Sequence, residues 1–311
     1  MKKQERPRSV ILSKRANVFY LERCRVLQRN ESVVYLTDTG EDVESYFNIP
    51  DRNTAFLLLG TGTSITNSAI RKLSESNVVV GFAGGGGSPL VAACDMTFLL
   101  PQDEYRPTEY MQAWMRIWAD EHARIDVGRS LLRIRMEWAR EAWSAHGLAL
   151  PADLCDRLES SIQKAGTATQ LLSAEAQWAK GLYGFLARHW SIRDFHRDEG
   201  KQATGSAADV ANGLIDHGNY LAYGYAATAL HALGIPYAMP VLHGKTRRGG
   251  LVFDVADLVK DSLVLPVAFE MAVKKGGDRH LNREFRRSVI DSAHETRALS
   301  RMIDTMKSFC L

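Results

Sequence analysis

An acidic residue lies among apolar residues in the middle of this sequence. The spacing of the apolar residues predicts a helix over residues 169–187. On that helix the neighbours of Glu175 are Leu171, Leu172, Trp178, Ala179 and Leu182. An ionised carboxylate is costly in such surroundings, so Glu175 must be neutral, paired with a cation or bound to a metal ion. The pattern leaves open a functional role and a buried structural ion pair.

A histidine and three aspartates form a second group. His243 ends the apolar run 238–242, and basic residues and a Gly–Gly pair separate it from a predicted helix. Asp254, Asp257 and Asp261 share one stripe of that helix. We expect Asp261 to lie on a solvated face. A site function is more credible for Asp254 and Asp257, because histidine, lysine and arginine lie just upstream across a short turn.

These two groups together offer a glutamate, a histidine and an aspartate. Such a mixed oxygen and nitrogen donor set suits Mg²⁺ or Mn²⁺ better than a structural zinc ion, which prefers thiolates and imidazoles. Divalent ions held by carboxylates next to lysine and arginine are typical of phosphodiester chemistry. The sequence therefore predicts a divalent metal site that acts on phosphodiesters.

Other polar groups have weaker signals. Asn219 and Tyr223 share a face of a helix that is predicted to end near Gly234, where they could orient a phosphate. We favour hydrogen-bonded core residues for this pair. Two glycine-rich segments, 60–64 and 84–87, match neither a Walker A loop nor the GxGxxG pattern. Tight turns explain both segments better than phosphate binding does.

The elements that would position these residues fall into two groups. Residues 1–100 are mostly short strand patterns, at 9–13, 17–23, 32–37, 55–59, 77–82 and 90–93, with one helix predicted over 64–74. From Thr108 onward the patterns are long and helical, with breaks at 147–151, 191–206 and 234–240. We therefore predict an α+β fold. It has a small β-rich N-terminal domain over 1–100, a linker over 101–107 and a larger all-α catalytic domain over 108–311.

Composition excludes several classes of protein. The chain has 311 residues, of which 45% are hydrophobic, so it can form proper cores. No apolar run is long enough to span a membrane, and the basic start lacks the apolar region of a signal peptide. The four cysteines form no CxxC pair, which favours a reducing cytoplasm over a zinc or disulfide framework. A net charge of +3 is too small to indicate a nucleic-acid partner by itself.

Three longer segments carry a resemblance to a known family. They are LLSAEAQWAKGLY around Glu175, DHGNYLAYGYA around Tyr223, and LHGKTRRGGLVFDVADLVKDSL from His243 onward. In this order they resemble the CRISPR spacer-acquisition integrase, the first Cas protein. The segments LSKRANVFYL, LLLGTGTSIT and VGFAGGGGSPL are similar to its subtype I-F branch. The similarity is weakest over 139–164 and 191–207, where we expect variable loops.

The resemblance implies a specific site and activity. It implies that Glu175, His243 and Asp257 hold Mg²⁺ or Mn²⁺, that Asp254 supports them, and that Tyr223 and Lys245 lie near the active centre. The family joins the 3′-hydroxyl of a captured DNA fragment to the repeat array by transesterification, and it can cut branched DNA. Its members dimerise through the N-terminal part. Two dimers flank a dimer of the small second Cas protein, which in subtype I-F is fused to a helicase-nuclease.

Basic residues near these segments are candidate phosphate contacts for double-stranded or branched DNA. They are Arg188, Arg193, Arg197, Lys245, Arg247, Arg248, Arg279, Arg283, Arg286 and Arg287. For the last four a solvated helix face is an equal alternative. Two other functions stay open: a structure-selective nuclease for branched DNA without integration, and a non-catalytic DNA-binding scaffold.

Overall fold

A computed structural model describes residues 15, 17–37, 45–83, 97–100, 107–199, 205–244, 249–274 and 280–311. Several predictions lie outside these residues. They are the strands over 9–13 and 90–93, the glycine segment 84–87, most of the linker, Lys245, Arg247, Arg248 and Arg279.

The N-terminal region forms two four-stranded sheets. The strands are β1 (Asn17–Leu21), β2 (Cys24–Arg29), β3 (Ser32–Thr37), β4 (Ser45–Ile49), β5 (Thr54–Leu59), β6 (Ser64–Ile65), β7 (Val79–Phe82) and β8 (Thr97–Leu99). One sheet has the order β1-β5-β7-β8, with β1, β5 and β7 parallel and β8 antiparallel to β7. The other has the order β4-β3-β2-β6 and is antiparallel except for β2 and β6.

The helix predicted over 64–74 begins three residues later, as α1 (Asn67–Glu75). Ser64 and Ile65 pair with β2 instead, and Thr66 caps the helix by accepting a hydrogen bond from the Ala69 amide. Gly62 has φ +73°, which only glycine adopts readily, so the 60–64 segment is a tight turn.

The rest of the described chain is mostly helical. The helices are α2 (Glu109–Ala119), α3 (Glu121–Ala145), α4 (Ala152–Lys164), α5 (Ala168–His189), α6 (Ala207–Leu233), α7 (Gly250–Val259), α8 (Leu265–Lys274), α9 (Leu281–Glu295) and α10 (Ala298–Cys310). A π-helical turn, Lys260–Val264, joins α7 to α8. The predicted α+β class, with a β-rich region followed by a helical one, is confirmed.

The expectation of variable loops over 139–164 is wrong. This stretch contains the end of α3 and all of α4, whose apolar stripes bury Trp143, Leu154 and Leu158 in the helical core. The weak resemblance there therefore falls on regular helices.

The first sheet contacts the helical region directly. The ring of Phe56 on β5 meets Tyr225 on α6 edge to face, with centroids 5.0 Å apart. The lack of a side chain at Gly224 allows this close packing, because a Cβ atom at that position would come within 2.4 Å of the Phe56 ring. Alternate residues of β5, Leu57 and Leu59, enter a separate core with α1 and the second sheet. Among the described residues, no helix is long and apolar enough to cross a membrane.

Candidate metal centre

Three elements bring potential metal ligands together. Glu175 comes from the middle of α5, Asp257 from α7, and His243 from the segment before α7. One ligand atom from each lies within 4.8 Å of the other two. These are the residues that the family resemblance implies as ligands.

The apolar stripe predicted around Glu175 is present. Leu171, Trp178 and Leu182 are fully buried, and the polar residues on the opposite face of α5 are exposed. The helix therefore directs the Glu175 side chain, which is 13% exposed, into the protein. Its carboxylate both pairs with a cation and joins the cluster.

Asp254 orients His243. Its Oδ1 lies 2.7 Å from His243 Nδ1. Because a carboxylate only accepts hydrogen bonds, Nδ1 carries a proton, and in the neutral ring Nε2 keeps its lone pair. His243 Nε2 lies 3.8 Å from Asp257 Oδ2, on the side of the cluster.

Asp254 also holds the backbone before α7. Its two oxygens accept hydrogen bonds from the amides of Val241, Leu242 and His243, at 2.7, 3.2 and 2.9 Å. Both oxygens are thereby occupied, and the side chain is completely buried. Asp254 contacts the cluster through His243 and is not among the three converging ligands.

The prediction of a solvated Asp261 is wrong. Asp261 is 1% exposed and binds Arg135 of α3 through both oxygens, at 2.5 and 3.0 Å. Trp178 Nε1 donates to the same carboxylate at 2.8 Å. The stripe that Asp261 shares with Asp254 and Asp257 is buried, because nearly every residue of α7 and of the π-helical turn packs inside the helical region, and Arg135 compensates the buried charge.

Arg135 was missed by the sequence analysis although it carries the same signal as Glu175. Its helical neighbours Leu131, Leu132, Trp138 and Ala139 are all buried. The Nη1 atom donates to Glu175 Oε1 at 2.7 Å and lies 3.7 Å from Asp257 Oδ2. A charge on an apolar stripe of α3 would have indicated a partner for Glu175.

Lys260 was missed as well. Its Nζ lies 2.6 Å from Asp257 Oδ1 and 3.4 Å from the Tyr223 hydroxyl. Tyr223 is half-buried, and its ring packs edge to face on Phe253 with centroids 4.8 Å apart. The structure thus places Tyr223 next to the cluster. Asn219 is half-buried one turn earlier.

The charges of the cluster shift the protonation of its members. Burial, together with the negative Asp257, raises the pKa of Glu175 to about 7, and Arg135 offsets only part of this. Burial alone would raise the pKa of Asp257, but Lys260, Arg135 and His243 outweigh it and hold that pKa well below its usual range. Burial alone would lower the pKa of His243, but the hydrogen bond to Asp254 and the nearby carboxylates raise it.

The donor set fits Mg²⁺ or Mn²⁺. Two carboxylates and an imidazole nitrogen are oxygen and nitrogen donors, and Asp254 already fixes the ring nitrogen that faces the cluster. At 4.8 Å or less, the donor atoms are close enough to share one ion after small side-chain movements.

Comparison with known proteins identifies the family. The model of the family described as CRISPR associated protein Cas1 matches residues 19–293. A curated relative from Pseudomonas aeruginosa, named CRISPR-associated endonuclease Cas1, is 46% identical over 96% of this chain and 94% of its own length. This chain belongs to the Cas1 family.

Solved structures share the Cas1 fold at low sequence identity. A TtCas1–DNA complex has a TM-score of 0.70 at 22% identity and covers 94% of this chain and 91% of its own. A casposase bound to an integration product has a TM-score of 0.70 at 14% identity and covers 89% of this chain and 82% of its own.

The predicted DNA-contact residues of this Cas1 family member differ in their surroundings. Arg188, Arg193, Arg283 and Arg287 are exposed. Arg197 instead forms a tight ion pair with Asp216, and Arg286 packs over the Tyr20 ring, 4.2 Å from its centroid, near Glu22. Because the guanidinium groups of these last two residues already interact with side chains of the protein, they are poor candidates for phosphate contacts.

Proposed function

We propose that the protein is a metal-dependent DNA endonuclease and integrase that inserts captured foreign DNA into a CRISPR repeat array. The observation that carries the proposal is the convergence of Glu175, His243 and Asp257. Membership of the Cas1 family supports it, since the Pseudomonas relative is named an endonuclease. The DNA complex and the integration-product complex of structural neighbours are consistent with the same chemistry.

The proposed reaction is a transesterification. The 3′-hydroxyl oxygen of the fragment attacks a phosphorus of the array, and the bond from that phosphorus to the array 3′-oxygen breaks. The attacking hydroxyl loses its proton and the leaving oxygen gains one. With water as the attacking group, the same step is hydrolysis. A divalent ion held by Glu175, His243 and Asp257 would neutralise charge on the phosphate and on the leaving oxygen.

The protein's own residues prepare this site. Asp254 fixes the His243 ring, which leaves Nε2 available. Lys260, held at Asp257 and next to the Tyr223 hydroxyl, places a fixed positive charge at the edge of the cluster. Lys245 follows His243 by two residues, and its role near the reacting phosphate rests on the family resemblance.

DNA would be held through its phosphates. We assign this role to the exposed Arg188, Arg193, Arg283 and Arg287, and on sequence alone to Lys245, Arg247 and Arg248. Such contacts position a duplex without reading bases. We further propose a homodimer formed through the N-terminal region, which assembles with the small second Cas protein. The linker at 101–107 would separate the dimerisation domain from the catalytic domain.

A gel assay with a labelled fragment and repeat DNA tests the function. Products longer than the substrate, formed only with Mg²⁺ or Mn²⁺, are the expected result. Cut products without joined ones would favour the nuclease without integration. Binding to DNA with no reaction at any metal concentration would favour the non-catalytic scaffold.

A further inference from the structure

Arg135 is the side chain that the proposed reaction leaves without a role, although it touches two of the three ligands. It is 5% exposed in the middle of α3. A buried guanidinium is tolerated only when it is paired and hydrogen-bonded. Asp261 supplies the paired charge and takes up Nε and Nη2 in a bidentate pair.

The pair with Asp261 is itself anchored. Trp178 donates to the Asp261 carboxylate, and Trp143 donates to the Asp261 backbone oxygen at 2.7 Å. Asp261, held by these two tryptophans, therefore fixes the plane of the Arg135 guanidinium group on the side opposite Nη1. Asp261 does not bind the remaining terminal nitrogen, Nη1. This atom faces Glu175 and Asp257.

This arrangement has two opposite consequences for a divalent ion. The Nη1–Glu175 hydrogen bond holds one carboxylate oxygen of a ligand in place, which favours a single geometry. The same positive charge, so close to two ligands, repels a second cation that enters between them. An ion pair that lay away from the cluster would stabilise the fold and have neither effect.

We infer that Arg135 is a positioning residue that fixes Glu175 for catalysis and at the same time, through its charge beside Glu175 and Asp257, keeps the affinity of the site for divalent ions low. The effect on catalysis rests on the proposed function. The effect on metal affinity, the affinity half of the inference, concerns only the binding of metal ions by the protein.

The test replaces the pair by neutral groups of similar shape, in Arg135→Gln/Asp261→Asn, so that neither member of the pair is left behind as a buried charge. Isothermal titration should show that Mn²⁺ binds about tenfold more tightly, because the nearer cation is gone. Turnover at saturating Mn²⁺ should fall by about 10–100-fold, as it does when other supporting residues of metal sites are lost. Tighter binding with slower turnover is a combination that simple loss of structure does not produce.

The matched control is Arg133→Gln/Glu159→Gln. Arg133 lies on the same helix and forms the same bidentate pair with Glu159, but on the half-exposed side. Both measured quantities should stay at the wild-type values there. A double variant at Arg135 and Asp261 that melts cooperatively yet binds Mn²⁺ no more tightly than the wild type would overturn the inference.

A second variant guards against misfolding. Arg135→Lys keeps the positive charge but loses the bidentate guanidinium group. The Mn²⁺ affinity should therefore stay within about threefold of the wild-type value, while turnover falls. A tenfold tighter affinity in this variant would also contradict the inference. If the wild type shows no metal-dependent cleavage or joining, the proposed function fails, and the titrations still decide the affinity half.

Discussion

Asp254 and Asp257 lie one turn apart on α7 and have different surroundings. Asp254 is saturated by three backbone amides and by His243 Nδ1. Asp257 faces Lys260, Arg135 and His243 Nε2. The first aspartate therefore supports the site through the histidine, and the second can bind an ion itself.

Substituting each aspartate should separate these roles. Asp257→Asn removes a ligand, so strand joining should stay absent at any Mn²⁺ concentration. Asp254→Asn removes a supporting group, which costs about 10–100-fold in activity, and excess Mn²⁺ should restore part of it. The measurement is the joining rate against Mn²⁺ concentration, with folding checked by circular dichroism. Rescue of Asp257→Asn but not of Asp254→Asn would reverse the assignment.

The ionised form of Glu175 should lower the free energy of unfolding of the metal-free protein at neutral pH. Its folded pKa of about 7 lies above its ordinary value of 4.5, so between these values the folded state binds the proton more tightly than the unfolded state. The free energy of unfolding therefore falls as the pH rises through this window, and the loss is complete above pH 7. A residue kept for binding an ion would show such a penalty.

Glu175→Gln removes this penalty and can still accept the Arg135 hydrogen bond. The metal-free variant should be more stable than the wild type at pH 8, by on the order of 2 kcal/mol, and the difference should shrink towards pH 5. Thermal melts in chelator across this range measure it. The exposed Glu137→Gln on α3 is the control for the loss of one charge. A variant that is less stable than the wild type at pH 8 would contradict the explanation.

The helices that hold the site follow closely from the sequence. The predicted 169–187 helix is α5, and the predicted end near Gly234 is the left-handed cap of α6. Strong apolar periodicity and glycine caps are local signals, so they can be recognised without tertiary contacts. The same reasoning placed Glu175 inside the protein.

The π-helical turn after α7 could not be predicted in this way. The sequence puts Asp261 on one stripe with Asp254 and Asp257 but does not show that this stripe is buried, whereas in the structure Asp261 lies against Arg135, 126 residues earlier in the sequence. The stability of the turn depends on partners from α3 and α5, which no local pattern shows. The later start of α1, compared with the predicted helix over 64–74, has a similar cause, because Ser64 and Ile65 pair with β2.

The end of α5 gives a test of DNA binding. Arg188 lies in the last turn of α5 and Arg193 lies four residues beyond its end, and both are exposed. In Arg188→Ala/Arg193→Ala, the slope of log affinity against log salt should become shallower by about 1.8, since each lost phosphate contact contributes about 0.9 on B-DNA. Arg157→Ala on α4, which is also exposed and lies outside the proposed contacts, should leave the slope unchanged. An unchanged slope in the double variant would remove both residues from the interface.

Across the whole molecule, the first sheet packs on the helices through one face, and the second sheet lies on the far side of it. Phe56 and Gly224 define the contact with α6. On the second sheet, β4 is an edge strand that pairs only with β3 among the described residues. It carries two exposed aromatic residues, Tyr46 and Phe47. An edge with exposed aromatic side chains is suited to contact with another chain.

A charge on this edge should weaken the proposed dimer. Phe47 is 42% exposed and stacks on Tyr35. Phe47→Lys should shift the protein towards the monomer in light scattering after gel filtration, because lysine on an edge strand opposes pairing. Mn²⁺ binding should be unaffected, since Phe47 belongs to the N-terminal sheets. A dimer of unchanged strength would exclude this edge as the interface.

The most direct test of the metal centre is isothermal titration of Mn²⁺ into the wild type, Glu175→Gln, Asp257→Asn and Glu137→Gln. We predict one ion per wild-type chain, loss of binding in each of the two ligand variants, and unchanged binding in the surface control. Wild-type affinity in either Glu175→Gln or Asp257→Asn would contradict a shared site.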